Sequence, residues 1–172
     1  VIFQPAEEGV RGAQSVAESG ILDDVDMFLT SHLGMGWKTG ELAALSRGFL
    51  STTKIDAEIT GLSAHAGASP QDGNNAILAA CAAALAMHTA CQDARGMARI
   101  NVGTINGGTG RNVVADRAVL KLETRGETAE IERSVYKRAM DSIEGAAAMF
   151  GCTAKTEVKG SASSADSDKE LE

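Results

Sequence analysis

The sequence predicts a ferredoxin-like α+β sandwich, four antiparallel strands with two helices on one face, joined to a partial α/β segment at its start. Two observations point there. From Gly48 onward the apolar pattern alternates between period two and period 3.6 in the order strand, helix, strand, strand, helix, strand. Before Gly48, short apolar runs bracket one helical stretch, a spacing that favours parallel pairing.

The leading segment, residues 1–48, opens with an apolar run at Val1–Gln4 that reads as a strand. Arg11–Ser19 is a short helix closed by Gly20 as its C-terminal cap. Asp26–Ser31, containing Met27, Phe28 and Leu29, is a second strand, and Leu42–Ser46 a third.

The sandwich, residues 49–160, begins at Thr52–Thr60, where Ile55, Ala57 and Ile59 share one face. A polar, glycine-rich loop, Gly61–Asn74, leads to a helix over Ala76–Cys91 with Ile77, Ala80, Ala84, Met87 and Cys91 on one stripe. Arg99–Ile105 is the next strand, Gly107–Gly110 a turn, and Val113–Thr124 a third strand with Val119 and Leu120 in its core part. Thr128 caps a second amphipathic helix whose buried face is Ile131, Val135, Ala139, Ile143, Ala146 and Phe150. Gly151 ends it, Thr153–Val158 is the last strand, and residues 161–172 form a return segment or tail.

Composition bounds the function. The 172 residues are 44% hydrophobic, enough for a core, and carry a net charge of -7 with a pI near 5.0, which argues against nucleic acid as a partner. No apolar run is long enough to span a membrane. Cys81, Cys91 and Cys152 are an odd set without metal-type spacing and read as reduced thiols of a cytoplasmic protein. With no leader pattern and no initiator Met, the chain is expected to be a fragment whose beginning is missing.

Five places carry candidate chemistry. Glu7 and Glu8 follow Pro5 at the end of the first apolar run, where one carboxylate can hold a metal while the other moves a proton. The same Pro-then-Glu pattern is also an ordinary helix start. His32 lies just after the second predicted strand, and a parallel pairing would bring it beside the glutamates; Glu plus His suits zinc or manganese. Two ligands do not make a site, and a catalytic zinc takes at least three. His65 lies in a small-sided loop, either solvated or placed to donate to a developing oxyanion. Asn112 after the glycine turn and Arg125 at the far strand end are either hairpin and surface residues or polar anchors for a substrate carboxylate. His88 is assigned no role.

Taken in order, Gln4-Pro5-Ala6-Glu7-Glu8-Gly9, Ser31-His32-Leu33-Gly34, Ser63-Ala64-His65-Ala66-Gly67, Gly107–Val114 and Arg125 resemble the co-catalytic metallopeptidases and amidohydrolases of the carboxypeptidase G and aminoacylase type. The resemblance covers nearly the whole chain. It implies a metal-dependent amidohydrolase acting on N-acyl amino acids, aminobenzoyl-glutamate among them, with two divalent ions, Zn or Mn. It makes Glu7 the general base, Glu8 and His32 metal ligands, His65 the oxyanion donor, and Asn112 and Arg125 substrate-binding residues. It makes residues 49–160 a lid and dimerisation domain, paired with an identical or related chain. The family's upstream ligand pair and C-terminal His are not among these residues, so the chain alone is expected to be inactive. The rival reading is an interaction module with no catalytic role of its own.

Two geometric expectations go beyond the resemblance. An unbroken strand from Asn112 to Arg125 would hold them ~40 Å apart, so both can touch one small substrate only if two chains contribute. The alanine-rich helix Ala76–Cys91 and the edge strand Arg99–Ile105 are expected to form that two-fold contact.

Overall fold

A computed structural model describes residues 1–32, 36–42, 48–166 and 168. The chain forms two compact units, Val1–Gly48 with Ala165–Glu172, and Phe49–Ser164.

In the larger unit, strand β1 (Ser51–Thr60) alternates strictly, with Ile55, Ala57 and Ile59 buried and Lys54, Asp56 and Glu58 on the other face. Its neighbours are β5 (Arg117–Gly126) and β6 (Thr153–Ala162), both antiparallel. Strand β3 (Ala98–Gly107) pairs with the outer side of β5, so the order β3-β5-β1-β6 leaves β3 and β6 at the edges. This is the split sandwich that the sequence predicts.

Helices α2 (Ala76–Thr89) and α3 (Ala129–Met149) cover one face. The Thr128 hydroxyl accepts from the Ile131 N–H at 3.3 Å and starts α3 as read from sequence. Of its predicted buried face, Ile131, Val135, Ala139, Ile143 and Ala146 are buried, and Phe150 is half-buried at the helix end. The predicted stripe of α2 is turned. Its buried residues are Ala76, Ala79, Ala80, Ala83 and Met87, while Leu78 and Leu85 face outward at 51% and 75% exposure. Alanines on the inner side let α2 approach α3 and the sheet closely, and the larger leucines do not fit there.

The predicted strand Val113–Thr124 is two strands in two sheets. Val113–Val114 (β4) pairs with Ala64–His65 (β2), and β5 begins only at Arg117. The break has a hydrogen-bonding cause. The Ala115 carbonyl accepts from the Ala76 N–H at 2.7 Å, and the Asp116 carbonyl accepts from the Gly61 N–H at 2.8 Å. Those bonds engage both carbonyls outside the ladder of β5.

In the smaller unit a single 3-10 turn, Glu7–Gly9, precedes helix α1 (Gly12–Glu18). The expected strands at Val1–Gln4 and Asp26–Ser31 are absent among the described residues, and most of Leu42–Ser46 lies outside them. The apolar runs find no ladder partner there, and Phe3 and Leu29 stay 90% and 81% exposed.

Candidate functional site

Glu7 and Glu8 sit in the 3-10 turn between Ala6 and Val10, the two non-glycine residues with left-handed backbones, φ 53 and φ 54, among the described residues. A β-branched residue at such a φ is strained, and the strain brackets the carboxylate pair. Although no strands frame them, Glu7 and His32 meet: His32 Nε2 lies 3.7 Å from Glu7 Oε1, with both side chains open to solvent. Among the described residues no group of three His, Cys, Asp or Glu side chains converges to hold a metal. Glu7, Glu8 and His32 supply the right donor types for a divalent ion but too few of them together, so the described residues do not by themselves fit a metal centre.

His65 and Asn112 come together in the other unit. The β2–β4 pair sets His65 opposite Val113, and the Ala66 N–H donates to the Asn112 carbonyl at 2.9 Å. The imidazole faces solvent, and its Nδ1 accepts from the backbone N–H groups of Gly67 and Ala68 at 3.1 and 3.0 Å. Helix α2 starts close by, but its first N–H groups are occupied. Asn75 Oδ1 accepts from Ile77 and Leu78 at 3.0 and 3.1 Å, so this helix end offers no free anion cradle.

Arg125 lies apart, on the open face of β5, opposite Thr52 of β1 and Arg99 of β3. Its guanidinium is forked onto Glu123, Nε to Oε1 at 2.9 Å and a terminal nitrogen to Oε2 at 3.3 Å. Sequence reasoning passes over Glu123, although its i, i+2 spacing puts it on the same strand face as Arg125. From Arg117 to Arg125 the strand runs roughly 26 Å. The break at Ala115-Asp116 corrects the ~40 Å expected from one continuous strand. It leaves Asn112 and His65 beyond one end of β5 and Arg125 at the other.

Sequence reasoning also misses Asp93, on the connection from α2 to β3. Its carboxylate is bound by Arg95 at 2.7 Å and approached by Arg138 at 3.5 Å, and the bonds to Arg95 hold it far below the usual carboxylate range. Arg95 reaches on to Glu130 of α3 at 2.6 Å. This cluster fastens the connection to α3.

The model of the peptidase dimerisation domain family matches residues 47–148. The chain is 50% identical over 164 residues to the indole-3-acetyl-aspartic acid hydrolase of Enterobacter agglomerans, covering 95% of this chain and 38% of that protein. It is 48% identical over 162 residues to a p-aminobenzoyl-glutamate hydrolase polypeptide of Escherichia coli (strain K12), covering 94% of this chain and 37% of that one. The crystal structure of the aminobenzoyl-glutamate utilization protein from Klebsiella pneumoniae superposes with a TM-score of 0.88 at 43% identity, over 98% of this chain and 43% of the other. The chain thus spans less than half the length of these relatives.

Proposed function

The chain belongs to the M20 peptidase dimerisation-domain family, and from that premise we propose that it is the lid and dimerisation domain, with a segment of the catalytic domain, of a metal-dependent amidohydrolase. The substrate proposed is an N-acyl derivative of an acidic amino acid. Two relatives support this: one is named for indole-3-acetyl-aspartate and the other for p-aminobenzoyl-glutamate, each an aromatic acyl group on a dicarboxylic amino acid.

In this reading Glu7 takes the proton of the attacking water and returns it to the leaving amine. Glu8 and His32 furnish part of a divalent-metal site, Zn or Mn, whose remaining ligands lie outside the described residues. His65 donates from Nε2 to the carbonyl oxygen as negative charge develops there. Asn112 and Arg125 hold the amino-acid portion, with the guanidinium N–H groups of Arg125 not engaged by Glu123 taking a carboxylate while Glu123 keeps its plane. This reading makes the isolated chain inactive, since the upstream ligand pair and C-terminal His that the resemblance calls for are not among its residues. The enzyme is placed in the cytoplasm, as a homodimer or with a related second chain.

The observation that carries the proposal is the separation of polar groups on one domain. His65 and Asn112 stand at one end of the sheet and Arg125 at the other, too far apart for one small substrate. A two-fold dimer resolves this. Strand β3 stands at the sheet edge with no second partner among the described residues, and α2 beside it presents Leu78, Cys81 and Leu85 outward. One substrate then meets His65 and Asn112 of one chain and Arg125 of the other.

Mixing full-length His65→Ala with full-length Arg125→Ala tests the shared site. Half of randomly mixed dimers are heterodimers with one intact site of two, so activity returns to about a quarter of wild type. No recovery, with heterodimers confirmed by mass, refutes it. The interaction-module reading keeps the same dimer and predicts that Glu7, His65 and Arg125 variants of the full-length protein lose no rate.

A further inference from the structure

We propose that the backbone N–H groups of Gly67 and Ala68 are positioning groups that lock His65 into the tautomer protonated on Nε2, making it a hydrogen-bond donor and not a proton acceptor. This rests on the role given to His65 above but goes beyond it, since an oxyanion-facing histidine can in general be held from either nitrogen or from none.

The geometry is local and specific. Within Ala64–Ser69 the chain folds back so that two successive N–H groups converge on Nδ1, at 3.1 Å from Gly67 and 3.0 Å from Ala68. An imidazole nitrogen that accepts carries no proton, so in the neutral ring the proton is on Nε2. Had Nδ1 carried it, two N–H groups would point at a third, and the Gly67 N–H would lose its partner while Ala68 kept only the His65 carbonyl. The same turn is pinned through the His65 carbonyl, which accepts from Ala68 at 3.2 Å and Ser69 at 3.0 Å. The β2–β4 ladder fixes the residue from the other side, with Ala66 donating to the Asn112 carbonyl at 2.9 Å. No side chain is needed for the lock. Gly67 has room beside the ring, where a Cβ would come no closer than 3.5 Å to His65 Cε1. What the position supplies is its N–H.

The functional consequence is orientation set before substrate arrives. A donor aimed by the fold costs no reorganisation when charge develops on the substrate oxygen. It also divides the labour: proton uptake belongs to Glu7, and His65 contributes a fixed N–H only.

Two measurements test this. The first is a two-dimensional ¹⁵N–¹H spectrum of the chain labelled at histidine, with His32→Ala and His88→Ala used to assign the three rings. The His65 ring is expected in a single state, Nδ1 unprotonated and Nε2 bearing hydrogen. A proton on Nδ1, or averaging between tautomers, overturns the proposal whatever the kinetics show. The second is rescue in the full-length enzyme. In His65→Gln the amide nitrogen replaces the Nε2 donor, and kcat should stay within about tenfold of wild type. In His65→Asn the oxygen replaces the Nδ1 acceptor and no donor reaches outward, so kcat should fall about 10²–10³-fold with KM little changed, as in His65→Ala. Asn rescuing as well as or better than Gln also overturns the proposal. An unchanged rate in His65→Ala overturns instead the catalytic reading of His65, and leaves the spectrum to judge the tautomer.

Discussion

Two glycines should respond to alanine with opposite signs, because one faces backbone and the other faces nothing. Gly145 lies in the interior of α3, and a Cβ there has no heavy atom within 4 Å. Glycine costs a helix interior about 0.8–1.0 kcal/mol relative to alanine, so Gly145→Ala should stabilise by ~1 kcal/mol. Gly126 ends β5 at the point where α3 crosses, and a Cβ there would run into the Glu132 backbone nitrogen and crowd its Cα. Neither partner can yield cheaply. Gly126 is paired on both sides, with Ser51 of β1 and Ala98 of β3, and the Glu132 carboxylate is bonded to the buried Thr124 hydroxyl at 2.6 Å. Overpacking of this kind costs about 1–3 kcal/mol. The reduced entropy of the unfolded chain returns ~0.4–1 kcal/mol, so Gly126→Ala should lose ~1–2 kcal/mol net. Urea titration followed by circular dichroism reads both, since the single tryptophan, Trp37, belongs to the smaller unit. With an m-value of about 1.5 kcal/mol/M, the midpoint should rise by ~0.7 M for Gly145→Ala and fall by ~1 M for Gly126→Ala. Shifts of the same sign, or a neutral Gly126→Ala, would refute the claim that close approach of α3 to β5 decides the outcome.

In the full-length enzyme Glu7→Gln should keep its metal content and lose about 10²–10⁴-fold in kcat, whereas Glu8→Gln should lose metal; equal depletion by elemental analysis would show the roles within the pair to be misassigned. The purified chain should turn over no aminobenzoyl-glutamate with Zn or Mn added, and measurable hydrolysis would contradict its reading as an incomplete catalytic unit. Leu85→Glu on the outward face of α2 should convert a dimer to a monomer in sedimentation without lowering the unfolding midpoint of the monomer, because Leu85 is 75% exposed within the chain. Asp93 is held low by Arg95, so its contribution to stability is present above its ordinary value of 3.8 and is lost as the pH falls through the depressed value in the folded state. Asp93→Asn should therefore weaken the chain at neutral pH and flatten the fall in stability below about pH 3.8, and an unchanged acid limb would show the ion pairs at Arg95 and Arg138 to be idle.

What the sequence reveals depends on how much each pattern constrains. Helix α3 is legible in detail because charged residues alternate with its apolar stripe, leaving one face for Val135 and Ile143. Helix α2 is apolar almost all round, so periodicity cannot choose a face, and the outcome is decided by the size of what must pack against α3. The strand through Val113–Thr124 looks continuous because Val113 and Val114 have strand propensity. It breaks because the Ala115 and Asp116 carbonyls are claimed by residues 39 and 55 positions away, Ala76 and Gly61. Such long-range claims leave no local trace. The short apolar runs Val1–Gln4 and Asp26–Ser31 are strand-like in composition, but a strand exists only with a neighbour to pair with. The approach of His32 to Glu7, which the sequence ties to parallel strands, occurs without them.

The break at Ala115-Asp116 is also what separates the candidate groups in a useful way. Had the ladder run straight from Val113 to Thr124, Asn112 would stand at the tip of a long hairpin arm, with no second strand to hold His65 beside it. Ending β5 at Arg117 turns the chain so that β4 can meet β2, and that two-residue pair brings His65 and Asn112 to one end of the sheet. The sheet itself then acts as a spacer. Its rigid antiparallel pairing holds Arg125 roughly 26 Å from Arg117, a length no N-acyl amino acid can span. In the proposed reading a single copy displays two half-equipped ends, each carrying groups that the chemistry needs together. The edge of β3 and the outward face of α2 supply a surface on which a second copy can be fixed with its ends reversed. Two-fold symmetry reverses a strand pair at an antiparallel edge, so it brings the unlike ends into register, and it does so twice. On this view dimerisation is a requirement of the chemistry and not an accessory to stability. It follows that variants such as Leu85→Glu should abolish activity in the full-length enzyme while leaving each chain folded.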